Sequence, residues 1–266
     1  MPRSMHSSPS RRNKKDPVAR LGRLVILSGP SCVGKTPLHK ALGRFYPELN
    51  QRLHKLVLFN SRSPRPGEID GKDYHFRPRA QIEELRSDKR YASLEVRADL
   101  QALEISELES LPERGDVLFE GSPFIGRALQ TIPRFASVNR LSIFISPLSQ
   151  EEIAYLNAPE RNVSFPDLLT DIMRRKLLRR TTRQKIHLSL QDLEDIEKRA
   201  SSACREMQEA WRFDHVIPNH DGEDSDNWEA FYYLIGDARN TLEAFAALLK
   251  GSVPAHVEKW EQQLLR

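Results

Sequence analysis

Two stretches of this chain combine residue types that can handle phosphate. Gly29-Pro30-Ser31-Cys32-Val33-Gly34-Lys35-Thr36 matches G-x-x-x-x-G-K-[ST] at every fixed position. The glycines let backbone N–H groups turn inward around phosphate oxygens. A helix starting there adds the positive end of its dipole. Lys35 is then placed to reach the β- and γ-phosphates, and the Thr36 hydroxyl to face Mg2+. The spacing predicts a purine nucleoside triphosphate site. The second stretch runs Ser61-Arg62-Ser63-Pro64-Arg65-Pro66-Gly67-Glu68-Ile69-Asp70-Gly71-Lys72-Asp73-Tyr74-His75-Phe76. Pro64 stiffens the interval between Arg62 and Arg65, so both guanidinium groups can address one anion. Tyr74 offers a phenol to the same anion. Taken alone, this segment also reads as a solvated surface loop.

The pattern of apolar runs supplies a scaffold for these groups. Residues 23–28 (RLVILS) suit a buried strand ahead of the first loop, and 38–45 read as the helix after it. Pro37 falls in that helix's first turn, where a missing N–H costs little. Further strands are expected over 55–59, 91–96, 116–120, 141–145 and 215–218. Helices are expected over 80–87, most of 149–212 with a break around 157–166, 228–249 and 257–265. Short apolar strands alternating with helices predict an α/β fold with a mostly parallel core sheet flanked by helices. Trp211, Trp228 and Trp260 fall on expected helices as packing residues.

Composition narrows the class. The 266 residues are 39% hydrophobic and 29% charged, the balance of a soluble globular chain. No apolar run approaches the ~18–20 residues of a membrane span, and the N-terminus lacks the apolar core of a secretory signal. Cys32 and Cys204 are too few for a disulfide scaffold or a multi-cysteine zinc site, and the eight histidines do not fall at zinc-ligand spacing. A cytoplasmic, reducing compartment is expected. Residues 1–20 hold Arg3, Arg11, Arg12, Lys14, Lys15 and Arg20 against Asp16, which leaves 35 basic and 36 acidic residues, a net of −1, in the rest. A basic body that grips nucleic acid is therefore not supported. The Ser-, Pro- and Arg-rich tail reads as disordered, with weak nucleic-acid contact as its alternative. The basic run 174–183 reads as a phosphate clamp, the acidic stretch 221–226 as a solvated loop, and Cys32 as filler at a variable motif position.

Strand, loop and arginine segment, in that order, resemble the guanylate kinase family. That family reads L-S-G-P-S-G-V-G-K-S/T at its first site and T-R-x-P-R-x-G-E-x-x-G-x-D-Y-x-F at its second. Leu27-Ser28 followed by residues 29–36, and then residues 62–76, follow both patterns. Phe144-Ile145-Ser146-Pro147-Leu148-Ser149 is similar to the family's F-I-x-P-P-S, residues 196–206 to its I-x-x-R-L-x-x-A-x-x-E helix, and Phe213-Asp214-His215-Val216-Ile217-Pro218-Asn219 to its Y-D-Y-V-I-V-N strand. The resemblance covers about residues 22–245, with gaps. It implies a P-loop nucleoside monophosphate kinase fold over 21–250, with a small acceptor-binding subdomain over about 55–110 and a helical lid with an insertion over about 150–190. A C-terminal helical extension is expected over 251–266.

The resemblance also implies an activity: transfer of the ATP γ-phosphoryl to GMP with Mg2+. Residues 29–36 match the ATP site, with Lys35 catalytic and Thr36 facing the metal. Arg62, Arg65 and Tyr74 match the residues that hold the GMP phosphate. Arg180 and Arg199 match lid arginines that neutralise charge on the transferring phosphoryl. Glu95 best matches the guanine-reading carboxylate, Ser106 a hydroxyl of the GMP site, and Glu120 the first acid of the family's D-I-D-x-Q-G. Four positions depart from the pattern: Cys32 replaces a glycine, Leu58 a serine, Glu104 a tyrosine and Ser122 the second acid. The departures fall mainly on the acceptor side. They leave three readings: a GMP kinase, an ATP-dependent kinase with another phosphorylated acceptor, and an interaction module binding phosphorylated or acidic peptides. Intact Lys35 and Thr36 speak against the last.

Overall fold

The structure is a computed structural model that describes residues 22–65, 67–109, 115–133, 138–230 and 232–265. The tail expected to be disordered lies outside the described residues. β1 (Leu24–Ser28) is buried at every residue. The phosphate-loop motif follows it, and then α1 (Lys35–Phe45). Pro37 sits in the first turn of α1, as its missing N–H requires. α2 (Pro47–Asn50) leads into β2 (Leu53–Lys55). The strand expected over 55–59 is two strands. β2 pairs at the edge of the large sheet, and β3 (Phe59–Asn60) begins a second sheet. Leu56 and Leu58 lie between them, each 3% exposed, so the apolar run continues across a change of sheet.

β4 (His75–Phe76), α3 (Arg79–Leu85), β5 (Tyr91–Val96), β6 (Asp99–Glu104) and α4 (Ser106–Glu109) follow. The second sheet runs β4-β3-β6-β5, with β3–β4 parallel and β3–β6 and β5–β6 antiparallel. Ile82 of α3 packs on Leu100 and Ala102 of this sheet. β5 and β6 are joined by Arg97 and Ala98, at φ 53° and 71°. That is the geometry of a two-residue hairpin turn, built without the Asn or Gly that normally announces one.

The chain then returns through β7 (Asp116–Gly121), α5 (Pro123–Thr131), β8 (Arg140–Ser146), α6 (Gln150–Leu156), α7 (Phe165–Gln184), α8 (Leu190–Met207), β9 (His215–Pro218) and α9 (Gly236–Lys250). The large sheet has the order β2-β7-β1-β8-β9, with every neighbouring pair parallel. Parallel strands covered on both faces need unbroken apolar sequence, and LVILS and LSIFIS supply it. Ser149 and Ser189 close capping boxes at α6 and α8. Ser122 accepts from the Phe124 N–H and caps α5. Ser122, which the resemblance sets against the family's second acid, thus has a structural task.

Two expectations at the C-terminal end fail. The last long helix starts at Gly236 rather than at residue 228, and Trp228 lies on a short 3-10 turn, Asp226–Glu229. Residues 251–265 form no α-helix, only a 3-10 turn at Gln262–Leu265. Instead Glu258 bridges to Val216 beside β9, and Trp260, 2% exposed, packs near Phe144. One indole entering the core anchors this segment without helical periodicity.

Candidate active site

The carboxyl ends of β1 and β7 and the N-terminus of α1 meet at one cleft. Gly29 and Gly34 make the turn between β1 and α1. A Cβ on Gly29 would sit 2.4 Å from the Ile145 carbonyl, and one on Gly34 within 2.7 Å of Asn219 Nδ2; their φ angles are +152° and +98°. Only glycine fits both constraints. Cys32 occupies φ 67° with 1% exposure. Burial, with Glu223 nearby, pushes its thiol up to about 12. At pH 8 such a group is thiolate in only ~1 part in 10,000. Iodoacetamide should therefore leave Cys32 unmodified in the folded protein, as peptide mass spectrometry would read; rapid labelling of Cys32 would contradict this geometry.

Lys35 is 8% exposed, and its Nζ donates to the carbonyls of Gly29 (2.9 Å) and Pro30 (2.7 Å). Burial lowers its pKa, against the charges of Glu223 and Glu120. The Thr36 hydroxyl lies 3.2 Å from Glu120 Oε1, while the other Glu120 oxygen is 3.4 Å from His39 Nδ1. Burial works to raise the Glu120 carboxyl, but the His39 hydrogen bond and neighbouring cations hold it below its ordinary value. A hydroxyl and an ionised carboxylate side by side are hard oxygen donors of the kind Mg2+ takes along with phosphates and water. Among the described residues no cluster of three or more His, Cys, Asp or Glu could hold a metal alone.

The 61–76 segment forms the facing wall. Its acids fold it. Glu68 takes both arms of the Arg62 guanidinium (2.6 and 2.7 Å) and the Arg65 N–H (2.7 Å). Asp73 takes the Ile69 N–H and Lys55, and Asp70 the Phe76 N–H. Arg62, Arg65 and Tyr74 are thereby presented to the cleft. Arg180 of α7 and Arg199 of α8 enter from the other side. Arg199 is 4% exposed, and its Nε and Nη1 have no hydrogen-bond partner, although Asp195 lies 3.2 Å away. Burial and the like charge of Arg65 push it down to about 9. A cleft that gathers cations and leaves two donors idle calls for an anion.

Of the residues predicted for the acceptor side, two are not in the cleft, and of residues 29–36 Pro30, Val33 and Gly34 do not line it. Glu95 is exposed on β5 and faces Arg79 at 3.4 Å. The exposed Ser106 opens α4 and donates to Glu104 at 2.9 Å. The hairpin register explains this. Glu95 lies opposite Leu100 on the α3 side, whereas its neighbour Val96 pairs with Asp99, and both of those line the cleft. A slip of one residue changes the face. Asp99 and Gln101 are the polar groups that β6 offers the cleft, and Asn60 adds a buried Nδ2 without a partner.

Sequence reading also missed Arg97, which lines the cleft from the hairpin turn. It reaches α8, donating to Ser202 Oγ at 2.9 Å and Glu206 Oε1 at 2.8 Å. Nor is the acidic stretch 221–226 a free solvated loop: Glu223 lines the cleft and pairs with Arg180 at 2.7 Å. Only long-range contacts reveal these residues, and no local signal marks them.

Comparison with known proteins gives the family. The family model for guanylate kinase matches residues 21–100. A guanylate kinase of Corynebacterium jeikeium is 30% identical over 208 residues, covering 75% of this chain and 89% of that protein. The chain belongs to the guanylate kinase family. A guanylate kinase of a Nostoc species is 31% identical over 211 residues, covering 79% of this chain and 87% of its own length. The crystal structure of guanylate kinase from Anaplasma phagocytophilum shares the fold, with a TM-score of 0.52 at 20% identity over 87% of this chain and 86% of that one. No described helix is long and apolar enough to cross a membrane.

Proposed function

We propose that this guanylate kinase family member transfers the γ-phosphoryl of ATP to GMP in the cleft between residues 29–36 and residues 61–76. The observation that carries the reading is convergence. Lys35 and Thr36 from one motif, Arg62, Arg65 and Tyr74 from the other, and Arg180 and Arg199 from two helices line a single cavity. Residues 55–110 would form the acceptor-binding subdomain and 150–190 the lid. A phosphate oxygen of GMP attacks the γ-phosphorus, the bond to the β–γ bridging oxygen breaks, and GDP and ADP result. Residues 29–36 cradle the donor phosphates, and Lys35 stabilises charge on them. Arg62, Arg65 and Tyr74 hold the acceptor phosphate. Arg180 and Arg199 offset the negative charge spread over the equatorial oxygens. Mg2+, held by the Thr36 hydroxyl beside Glu120, would supply charge neutralisation for the donor phosphates. Asp99 takes the base-facing position expected of Glu95, since a carboxylate there can accept the guanine N1–H and amine.

The experiment is a coupled ADP-release assay with ATP–Mg2+ and GMP, dGMP, AMP, CMP, UMP or no acceptor, with Lys35→Ala as blank. GMP-dependent release above the blank is expected; release with another nucleotide alone would overturn the acceptor. Arg65→Ala removes a charged hydrogen-bonding group from the acceptor side. It should raise the KM for GMP about 10- to 100-fold and leave ATP affinity within about twofold. An unchanged KM would remove Arg65 from the acceptor site.

A further inference from the structure

The acidic stretch 221–226 lies like a strap between the phosphate loop and the lid helix. Asp221 builds its base. Its carboxylate accepts from Ser225 Oγ (2.8 Å), Asn227 Nδ2 (2.9 Å) and the Ala238 N–H (3.0 Å) at the start of α9. Gly222 presses on the phosphate loop so closely that a Cβ would stand 2.2 Å from the Cys32 carbonyl, and the Glu223 N–H donates to that same oxygen at 3.3 Å. The strap's acids then meet the basic face of α7. Glu223 pairs with Arg180 at 2.7 Å, Asp224 lies 3.7 Å from Arg179 and 3.9 Å from Lys176, and Asp226 lies 3.1 Å from Arg183. Asp224 is 6% exposed, and its Oδ1 has no hydrogen-bond partner, which marks a strap drawn inward.

We infer that Glu223 is a built-in competitor for the donor phosphates and sets the affinity of this site for ATP. Its carboxylate lines the same cavity as Ser31, Cys32, Lys35 and Thr36. It places a negative charge where a triphosphate must enter, and it engages Arg180, one of the cations that triphosphate needs. Lys35 is engaged in the same way by the carbonyls of Gly29 and Pro30. Glu223 is also the foremost opposing charge on Lys35. ATP must therefore exchange partners at Arg180 and displace or tolerate Glu223. Only the surplus over the internal contact appears as affinity. The other pairs keep the strap on α7, so the competing carboxylate remains poised at the loop. This rests on residues 29–36 being the ATP site.

The test is the Kd of ATP–Mg2+ for the full chain, measured by titration calorimetry without any acceptor. Glu223→Gln keeps the side-chain shape and removes the charge. It should tighten ATP binding about 5- to 10-fold. Glu223→Ala should tighten it too, which guards against a local effect of the amide. In an Arg180→Ala background the gain from Glu223→Gln should shrink, because the cation it frees is already gone. Unchanged or weaker ATP binding in both Glu223 variants would overturn the inference. Absence of ATP binding in wild type and variants alike would instead overturn the donor site itself.

Discussion

Lys35→Ala should lower kcat for phosphoryl transfer by at least about 10²–10³-fold while leaving the fold intact. The loop's shape comes from Gly29 and Gly34, whose backbone turns admit no Cβ, and from β1, buried at every residue. Lys35 adds to that shape only the two hydrogen bonds of its Nζ to the Gly29 and Pro30 carbonyls. Its ammonium is buried and bonded only to loop carbonyls, with no ion-pair partner of its own among the described residues. Removing it takes a charge out of a desolvated place without leaving a carboxylate stranded, so the melting temperature should stay within a few degrees. In the proposed reaction the transition state loses the loop's own cation, and no other residue of 29–36 carries charge. The ADP-release assay and a thermal melt, run on the same preparation, separate the two effects. A variant within tenfold of wild-type kcat would show that the phosphates lie elsewhere.

The strand, loop and helix on the 29–36 side of the cleft were readable because they adjoin in sequence. β1, the glycine turns, Lys35, Thr36 and α1 occupy one continuous stretch, and local chemistry determines their arrangement. The same holds for Arg62, Arg65 and Tyr74, whose orienting acids Glu68, Asp70 and Asp73 lie within the same segment. What was hidden depends on register or on distance. The sheet face of Glu95 is decided by a hairpin turn at Arg97 and Ala98, two residues that give no turn signal but adopt positive φ under tertiary constraint. The split of 55–59 into two strands is invisible because Leu56 and Leu58 stay buried through the change of sheet. Glu223 looks like part of a solvated run until α7 is laid beside it. Trp260 reads as helical by its spacing, but a single buried indole outweighs weak helical propensity in so short a segment.

The second large effect is expected at Arg97. Arg97→Met should destabilise the protein by about 3–5 kcal/mol, because it strands a buried carboxylate. Glu206 is fully buried on α8. One of its oxygens receives Arg97 and Ser202, and the other has no hydrogen-bond partner. Against a total stability of about 5–15 kcal/mol for a typical domain, such a loss should be plain as a shifted urea midpoint. Glu206→Gln in the Arg97→Met background removes the stranded charge and should recover most of the loss. A single variant within about 1 kcal/mol of wild type would mean that water or another cation reaches Glu206. The double variant then isolates a functional consequence that stability alone would mask. Arg97 belongs to the β5–β6 hairpin and Glu206 to α8, 109 residues apart, so their bond ties the hairpin wall of the cleft to the helix that carries Arg199. With folding restored and the tie still cut, that wall is free to drift from Arg199. The KM for GMP should therefore rise in the double variant while ATP affinity holds, because Lys35 and Thr36 stand in the first turn of α1 and do not move with the hairpin.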